Sequence, residues 1–347
     1  EGRGGLTPSL ALSYSSRSVE GILAWTQGGE VGLGWTLGTP VITRDYKGRG
    51  DGDNYPAVAC ESPNLFRLQV GGAGYTLVKD PATYTGYVRY LTLEKSGLYI
   101  ERHNSVLSAE VSGAPVAQNA TGEYWLVRMP DGTVYRFGFY SHAELIVRRN
   151  ADSGCSTTDA RAESYAGDNS PSDAIAVRWA ADTVWDTHRN YVRYTYVSDK
   201  ACHHSAYPTG HAYLESSLYL ESILYNDDLS TGQTSTRVDL TLTNRPQVSA
   251  SDPRTDYFGG PKCGVNDQYL VLTADLLHQD KYVSSISITN AGRVIRRYDL
   301  GYELQTNHAD GPPSHPDEAT RLLKSITEYG YKDDGITAIA LPPTTFG

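Results

Sequence analysis

The chain has 347 residues, enough for one large β domain or two smaller ones. Its formal net charge of −10 at pH 7 argues against nucleic acid or an anionic membrane as the main partner. Tyrosine dominates the aromatic residues, with 26 Tyr against 5 Phe and 5 Trp, and Met occurs once. This composition is typical of half-exposed β-sheets and disfavours a helical fold. No apolar run reaches the roughly 18 residues of a transmembrane helix, so the sequence predicts no membrane span.

Glycines and a proline precede the first alternating segment. Gly4 and Gly5 supply backbone conformations that residues with a Cβ avoid, and Pro8 fixes its own φ angle. From Leu10 to Tyr14, apolar residues alternate with small or polar ones. This alternation predicts a strand with one buried face.

A second glycine pair precedes a tryptophan. Gly32 and Gly34 lie on either side of a leucine and directly before Trp35. The arrangement predicts a bulge or tight bend that lets the indole lie against a neighbouring strand. The segment from Pro40 to Arg44 alternates again and predicts another strand.

These opening blocks resemble the start of the SpvB-like domain. That domain is found at the N-terminus of insecticidal Tc toxin B subunits and of the SpvB virulence toxin, and it is related to Rhs proteins. The family pattern is roughly Gly-x-Gly-Gly-hydrophobic-x-Pro-x-Leu-x-Leu-x-Tyr-x-Ser, then Gly-x-Gly-Trp-x-Leu, then Pro-x-Ile-x-Arg. The sequence matches it at nearly every fixed position.

Later blocks extend the resemblance across the chain. Asp131 and Gly132 separate two alternating segments, which predicts a hairpin, and they match the family's Asp-Gly-Thr-x-Tyr-x-Phe-Gly block. Asp186 and Asn190 match a second block, in which Arg189 replaces the usual glycine. Either the turn differs in type or Arg189 adopts an uncommon backbone conformation.

Alternating segments recur along the rest of the chain, and long amphipathic helices do not. Strands are predicted at 75–79, 98–102, 124–128, 134–137, 192–197, 238–243 and 284–289. A second turn is predicted at 290–292, and the best helix candidates are 271–278 and 318–324, each about two turns long. The predicted fold is therefore all-β: a large antiparallel sheet or sandwich-like shell domain with short helices only. Residues 1–347 are expected to form a single domain of a larger protein.

Four cysteines, widely spaced, leave their chemistry open. They are Cys60, Cys155, Cys202 and Cys263. Two disulfides would suit an extracellular protein, and three pairings are possible, but four unpaired thiols remain an equal alternative. The two histidines after Cys202 add only a weak indication of metal binding.

Polar turns supply a few candidate sites. Asp51 and Asp53 place oxygen ligands at alternate positions, as a calcium loop could, but the later Glu of an EF-hand is missing. Residues 49–51 spell the integrin-recognition tripeptide, but the favoured interpretation is a turn that the fold requires. Residues 119–121 form a glycosylation acceptor sequence. His188 could act as a catalytic base oriented by Asp186 and Asp182. The favoured interpretation is that these three are solvated turn residues.

The resemblance implies a structural role without catalysis or cofactor. In the SpvB toxin the ADP-ribosyltransferase activity belongs to a separate C-terminal module, and in Tc B subunits this segment helps to build a β-rich shell around a toxic polypeptide. The expected partners are downstream domains of the same polypeptide or a partner toxin subunit, with self-assembly a further option, and the expected location is extracellular. The alternatives are an adhesive or filament-forming protein and a carbohydrate-active enzyme on a β scaffold, which would need two converging carboxylates.

Overall fold

The computed structural model of the protein describes residues 2–8, 10–19, 28–44, 66–104, 117–119, 121–148, 174–204, 211–228, 233–246, 279–306, 319–332 and 334–347. The chain divides into two compact units. We call them the open-sheet unit, formed by Glu1–Gly38, Tyr219–Gly260 and His278–Gly347, and the barrel unit, formed by Thr39–Leu218 and Pro261–Leu277. The expectation of a single domain stays a prediction.

Strands dominate the described residues. The first ten are β1 (Ser13–Tyr14), β2 (Trp35–Thr36), β3 (Val41–Arg44), β4 (Phe66–Val70), β5 (Ala73–Lys79), β6 (Val88–Thr92), β7 (Tyr99–Asn104), β8 (Glu123–Arg128), β9 (Val134–Phe137) and β10 (Glu144–Arg148). The others are β11 (Ala174–Trp185), β12 (Tyr191–His204), β13 (His211–Asp228), β14 (Gln233–Asn244), β15 (Lys281–Asn290), β16 (Arg293–Thr306), β17 (Ala319–Tyr331), β18 (Ala338–Ala340) and β19 (Thr344–Thr345). Short 3₁₀ helices cover Arg3–Gly5, Ser16–Ser18 and Ser141–Ala143.

In the barrel unit, eight antiparallel strands close on themselves. Strands β3 to β9 pair in sequence order, each with the next. Strand β11 then pairs with β9, where Val184 lies opposite Tyr135, and also with β3, where Trp179 lies opposite Ile42. The ring formed by β3–β9 and β11 therefore has no open edge along these ladders, which is the arrangement of a small barrel filled by side chains.

Alternation along each strand explains how this barrel is filled. In β4, Phe66, Leu68 and Val70 are buried, whereas Arg67 and Gln69 between them are exposed. The same alternation on the other strands produces one apolar core. Its further members are Ile42, Leu77, Tyr90, Leu98, Ile100, Trp125, Val127, Phe137, Ala176, Trp179 and Ala181. The core stabilises closure because it removes large apolar side chains from water.

The open-sheet unit is built on antiparallel neighbours from β14 to β17. Strand β13 pairs with β14, and both β18 and β19 pair with β17. One face is apolar and carries the buried side chains of Val238, Leu240 and Ile286. On the other face, Ser285 donates a hydrogen bond to Thr241 across the two strands, with 2.9 Å between their side-chain oxygens. The two faces follow from the period-two pattern of the sequence.

Turn residues with positive φ join the strands at the predicted positions. Gly132 (φ 88°) lies in the hairpin between β8 and β9, and Ala291 and Gly292 (φ 48° and 78°) join β15 to β16. Two successive positive φ angles match a type I′ turn. Arg189 has φ 63°, so of the two alternatives for this turn the structure shows the uncommon backbone conformation.

The all-β antiparallel fold class is confirmed, and two local predictions need correction. Residues 319–324 of the helix predicted at 318–324 lie in β17, whose pairing with β16 runs from Ala319 to Gly330. Leu322 and Leu323 lie opposite Glu303 and Tyr302 of β16. Pairing with a neighbouring strand therefore overrides the local helix propensity. The first strand is also shorter than its alternation predicts, because only Ser13 and Tyr14 pair with β2. The helix predicted at 271–278 lies outside the described residues.

Candidate functional sites in the two units

The glycine–tryptophan segment, residues 28–36, packs directly against β17. The backbone N–H of Leu33 donates to the carbonyl of Arg321 at 2.9 Å. A Cβ on Gly32 would lie 3.1 Å from the backbone nitrogen of Leu323, and Gly32 has φ 95°. Glycine is therefore required here both for the backbone conformation and for the close approach of the two main chains.

Two buried arginines contact the glycine–tryptophan segment, Arg245 through its side chain and Arg321 through its backbone carbonyl. The guanidinium of Arg245 donates to the carbonyls of Gly28 and Gly29, at 2.9 and 3.1 Å. The guanidinium carbon of Arg321 lies 3.9 Å from the ring centre of Tyr282, a cation–π contact. The buried, charged donor of Arg245 therefore fixes two adjacent carbonyls of the segment.

Aromatic rings from both ends of the described chain meet on the outer side of this segment. Trp35 lies 5.3 Å from Tyr14 and 4.8 Å from Phe346, measured between ring centroids. A Cβ on Gly34 would lie 2.6 Å from Cε2 of Tyr14. The predicted role of the glycine pair, to let the indole pack against neighbouring strands, therefore has a geometric basis.

Inside the barrel, a carboxylate lies between two arginines. Glu123 Oε2 accepts a hydrogen bond from Arg44 Nη2 at 3.3 Å, and its other oxygen accepts from Arg102. Arg44 and Glu123 are both buried. The two guanidinium groups lie 5.3 and 5.2 Å from the ring centre of Phe66. We call Arg44, Arg102 and Glu123 the barrel ion cluster.

A second carboxylate, that of Asp182, is buried. The prediction that Asp182 is a solvated turn residue is therefore wrong. Asp182 lies within β11, is almost fully buried, and accepts hydrogen bonds from Arg136 Nε at 2.7 Å and from the backbone N–H of Phe139 at 2.8 Å. Burial raises the pKa of Asp182 against the opposing attraction of Arg136. The side chain of His188 is 82 % exposed, with Asp186 beside it in the turn. The structure therefore does not bring Asp182 and His188 together as a catalytic pair.

A row of contacting aromatic rings lies on the barrel unit, with one tilted, one stacked and one edge-to-face pair. The distance between the centroids of successive rings is 4.7 to 5.6 Å in the order Tyr87, His103, Tyr124 and Phe139. The hydroxyls of Tyr87 and Tyr99 share a hydrogen bond of 2.7 Å. This bond raises the pKa of Tyr87 to about 12. Of these contacts, His103 and Tyr124 are direct cross-strand partners between β7 and β8, which is a structural use of aromatic side chains.

Other predicted residues occupy structural positions. Asp186 accepts hydrogen bonds from the backbone N–H groups of His188 and Asn190, at 2.8 and 2.9 Å, and so closes its turn. Gly4 and Gly5 have positive φ and lie within the first 3₁₀ helix. Asn119, of the glycosylation acceptor, accepts from the N–H of Gly122 at 2.7 Å, and its amide donates to two backbone carbonyls.

Several predicted sites cannot be placed. Asp51, Asp53 and the integrin-recognition tripeptide lie outside the described residues, as do Cys60, Cys155 and Cys263, while the backbone of Cys202 lies in β12. Calcium binding and disulfide pairing therefore stay predictions. Among the residues that the structure describes, no three metal-binding side chains come together, and no helix is long and apolar enough to cross a bilayer.

Neither the barrel ion cluster nor the role of Asp182 is predicted by the sequence pattern. One signal was present: Glu123 alternates with Trp125 and Val127, which places all three on the same, inward face of β8. What the alternation could not reveal is that Arg44 and Arg102, from two other strands, converge on this carboxylate. That convergence depends on the closure of the barrel.

Comparisons with known proteins add the fold-level likeness. No protein-family model and no curated protein sequence matches the chain. A crystal structure of TcdB2-TccC3-Cdc42 is similar with a TM-score of 0.54 and 13 % sequence identity, over 99 % of this chain and 15 % of that one. The N-terminal domain of effector protein SpvB from Salmonella typhimurium strain LT2 is similar with a TM-score of 0.52 and 15 % identity, over 94 % of this chain and 95 % of that one.

The chain has an SpvB-like fold. The Photorhabdus luminescens Tc holotoxin pore also contains this fold, with a TM-score of 0.50, 14 % identity and coverage of 99 % of this chain. The SpvB-like chain spans only 15 % of the length of the Tc toxin chains that it matches, but 95 % of the isolated SpvB domain. At these identities the likeness establishes the fold alone.

Proposed function

We propose that this SpvB-like chain is a non-catalytic structural module of a larger, secreted, toxin-like polypeptide. In that role it forms part of the wall of a β-rich shell and packs against the remainder of the polypeptide or a partner subunit. The observation that carries the proposal is the fold likeness, which extends over 99 % of this chain and only 15 % of the matched toxin chain.

The interior of the barrel unit supports this proposal. The space enclosed by β3–β9 and β11 contains packed aromatic and aliphatic side chains, including Trp125 and Trp179, which are fully buried. A filled, closed barrel resists deformation, as a wall must. The buried carboxylates of Glu123 and Asp182 accept hydrogen bonds from arginines, which is a structural use of charge.

Limited proteolysis of the intact polypeptide tests the proposal. If the module packs against the rest of the protein, exposed segments such as 334–347 resist cleavage until the whole assembly is denatured. The proposal fails if early cuts release the module as a folded fragment without loss of protection elsewhere, because a freely tethered module forms no wall. A purified fragment that hydrolyses a glycoside would instead favour the enzyme alternative.

A further inference from the structure

The outer edge of β18 is an unpaired strand edge among the described residues. Strand β18 pairs with β17, where Ile339 lies opposite Gly330. The backbone N–H of Lys332 donates to the carbonyl of Thr337 at 3.0 Å, and the N–H of Leu341 donates to the carbonyl of Glu328 at 2.8 Å. The main-chain groups of Thr337, Ile339 and Leu341 therefore point towards β17.

The alternating residues must then point the other way. In an antiparallel ladder, successive residues direct their N–H and C=O groups to opposite sides of the strand. Ala338 and Ala340 consequently present two N–H and two C=O groups at the free edge. Both alanines are exposed, and among the described residues no strand pairs with this side of β18. A neighbouring strand could bind these four groups.

The side chains around this edge are apolar and exposed. Ile336, Ile339 and Leu341 are 83 %, 55 % and 50 % exposed. No charged residue occurs from Gly335 to Gly347. Natural sheets usually protect an edge with charged side chains. Among the described residues, the features that limit pairing here are the short length of β18 and the two prolines after Leu341.

Ile339 also lies at the end of a cross-strand row of the open sheet, in which Arg296 is the one charged member. Successive registers place Val238, Ile288, Arg296, Gly330 and Ile339 side by side across five strands. The row begins with a buried valine and ends with the exposed Ile339. A Cβ on Gly330 would meet nothing within 4 Å, so the space above this end of the row is open. An added strand would extend the same face.

The turn before β18 holds the edge in position without a partner. The carboxylate of Asp334 accepts hydrogen bonds from the backbone N–H groups of Ile336 and Thr337, at 2.9 and 2.8 Å. The N–H of Gly335 donates to the carbonyl of Lys332 at 2.8 Å. A preformed edge lowers the entropy cost of binding a strand.

We propose that the outer edge of β18 binds one β-strand from the remainder of the larger polypeptide. This proposal rests on the proposed function and names the surface through which the module continues into the rest of the shell. The bound segment is extended and uncharged, forms up to four main-chain hydrogen bonds with Ala338 and Ala340, and places apolar side chains beside Ile339 and Leu341. A strand is the occupant because its alternating N–H and C=O groups match those of the edge. The matched toxin chains, with 85 % of their length outside the aligned part (100 % less the 15 % covered), have ample chain to supply one.

Residue-resolved amide hydrogen exchange in the intact polypeptide tests the proposal. The amides of Ile339 and Leu341, which face β17, are internal controls and exchange slowly in any folded state. If a strand is bound, Ala338 and Ala340 exchange at least 10-fold more slowly than freely exposed amides. The proposal is overturned if Ala338 and Ala340 exchange at the freely exposed rate while Ile339 and Leu341 stay protected.

A pair of substitutions at one position sharpens the test. Ala340→Pro removes the outward N–H and leaves the bonds to β17 available, so Ala338 should lose its slow exchange in the intact polypeptide. Ala340→Val keeps the N–H and should preserve it. Equal exchange in both variants contradicts strand binding. If other surfaces of the module are protected while this edge is not, only the edge assignment fails; if no surface is protected, the shell proposal fails as well.

Discussion

The indole of Trp179 occupies the space that a side chain at residue 138 would need. A Cβ on Gly138 would lie 2.9 Å from Cγ of Trp179, and Gly138 has φ 68°. The backbone N–H of Gly138 donates to the carbonyl of Ala180 at 3.0 Å. Because Trp179 is fully buried in the barrel core, its ring cannot move aside. The end of β9 can therefore approach β11 only with glycine at this position.

Gly138→Ala should destabilise the chain by about 3 kcal/mol or more, the sum of backbone strain and overpacking. Gly72→Ala is the matched control, because Gly72 has φ 77° and nothing within 4 Å of an added Cβ. The control should cost only about 1 to 2 kcal/mol, the strain of the left-handed conformation. Urea unfolding measures both. Equal losses in the two variants would show that the tryptophan contact is unimportant.

Glu123→Gln should cost about 3 to 5 kcal/mol, because it leaves the buried Arg44 and Arg102 without their shared carboxylate. The comparison variant is Glu303→Gln, which removes an exposed carboxylate 3.8 Å from Lys324 and should cost at most about 1 kcal/mol. Denaturant midpoints at constant m-value separate the two. A loss below about 1 kcal/mol for Glu123→Gln would contradict a stabilising role for the barrel ion cluster.

Acid should loosen the turn that precedes β18. Hydrogen bonds from Thr337 and the backbone N–H of Ile336 hold the pKa of Asp334 below its usual 3.8. The stabilisation by this carboxylate is therefore present above about pH 4 and is lost as pH falls through the lowered folded pKa. Amide exchange at Ile336 and Thr337, measured relative to Gly292 in another turn, should accelerate in that range. Asp334→Ala should show the faster relative exchange at every pH. A ratio to Gly292 that does not change with pH in the natural chain would refute the assignment.

Alkali should break the tyrosine pair on the barrel unit. The Tyr99 hydroxyl raises the pKa of Tyr87 to about 12. Since the folded value lies above the unfolded value of 10.0, the associated stabilisation is complete below about pH 10 and declines as pH rises towards 12. NMR titration of the Tyr87 ring measures this pKa directly. Tyr99→Phe should lower it, while Tyr14→Phe, in the open-sheet unit, should leave it unchanged.

The sequence predicted the strands well because their signal is local. Alternation at 124–128, 238–243 and 284–289 needs only neighbouring residues, and the Ala291–Gly292 turn needs only a short segment. Barrel closure has no such signal, since it requires β11 to pair with two strands far away in the chain.

The helix prediction at 318–324 failed for a related reason. The paired leucines at 322 and 323 fit a helical face as well as a strand, and only the ladder with β16 decides between them. The convergence of Arg44 and Arg102 on Glu123 likewise depends on long-range strand order. The site is therefore less predictable than the elements that carry it.

A cryo-electron microscopy map of the intact polypeptide tests the central claim most directly. The structural-module account predicts continuous density for this SpvB-like chain within the wall of a closed β-rich shell, with a further strand against β18 and side chains filling the barrel. A module that is averaged out of the map because it is loosely tethered would contradict the account. So would density for a substrate bound among convergent carboxylates in this chain.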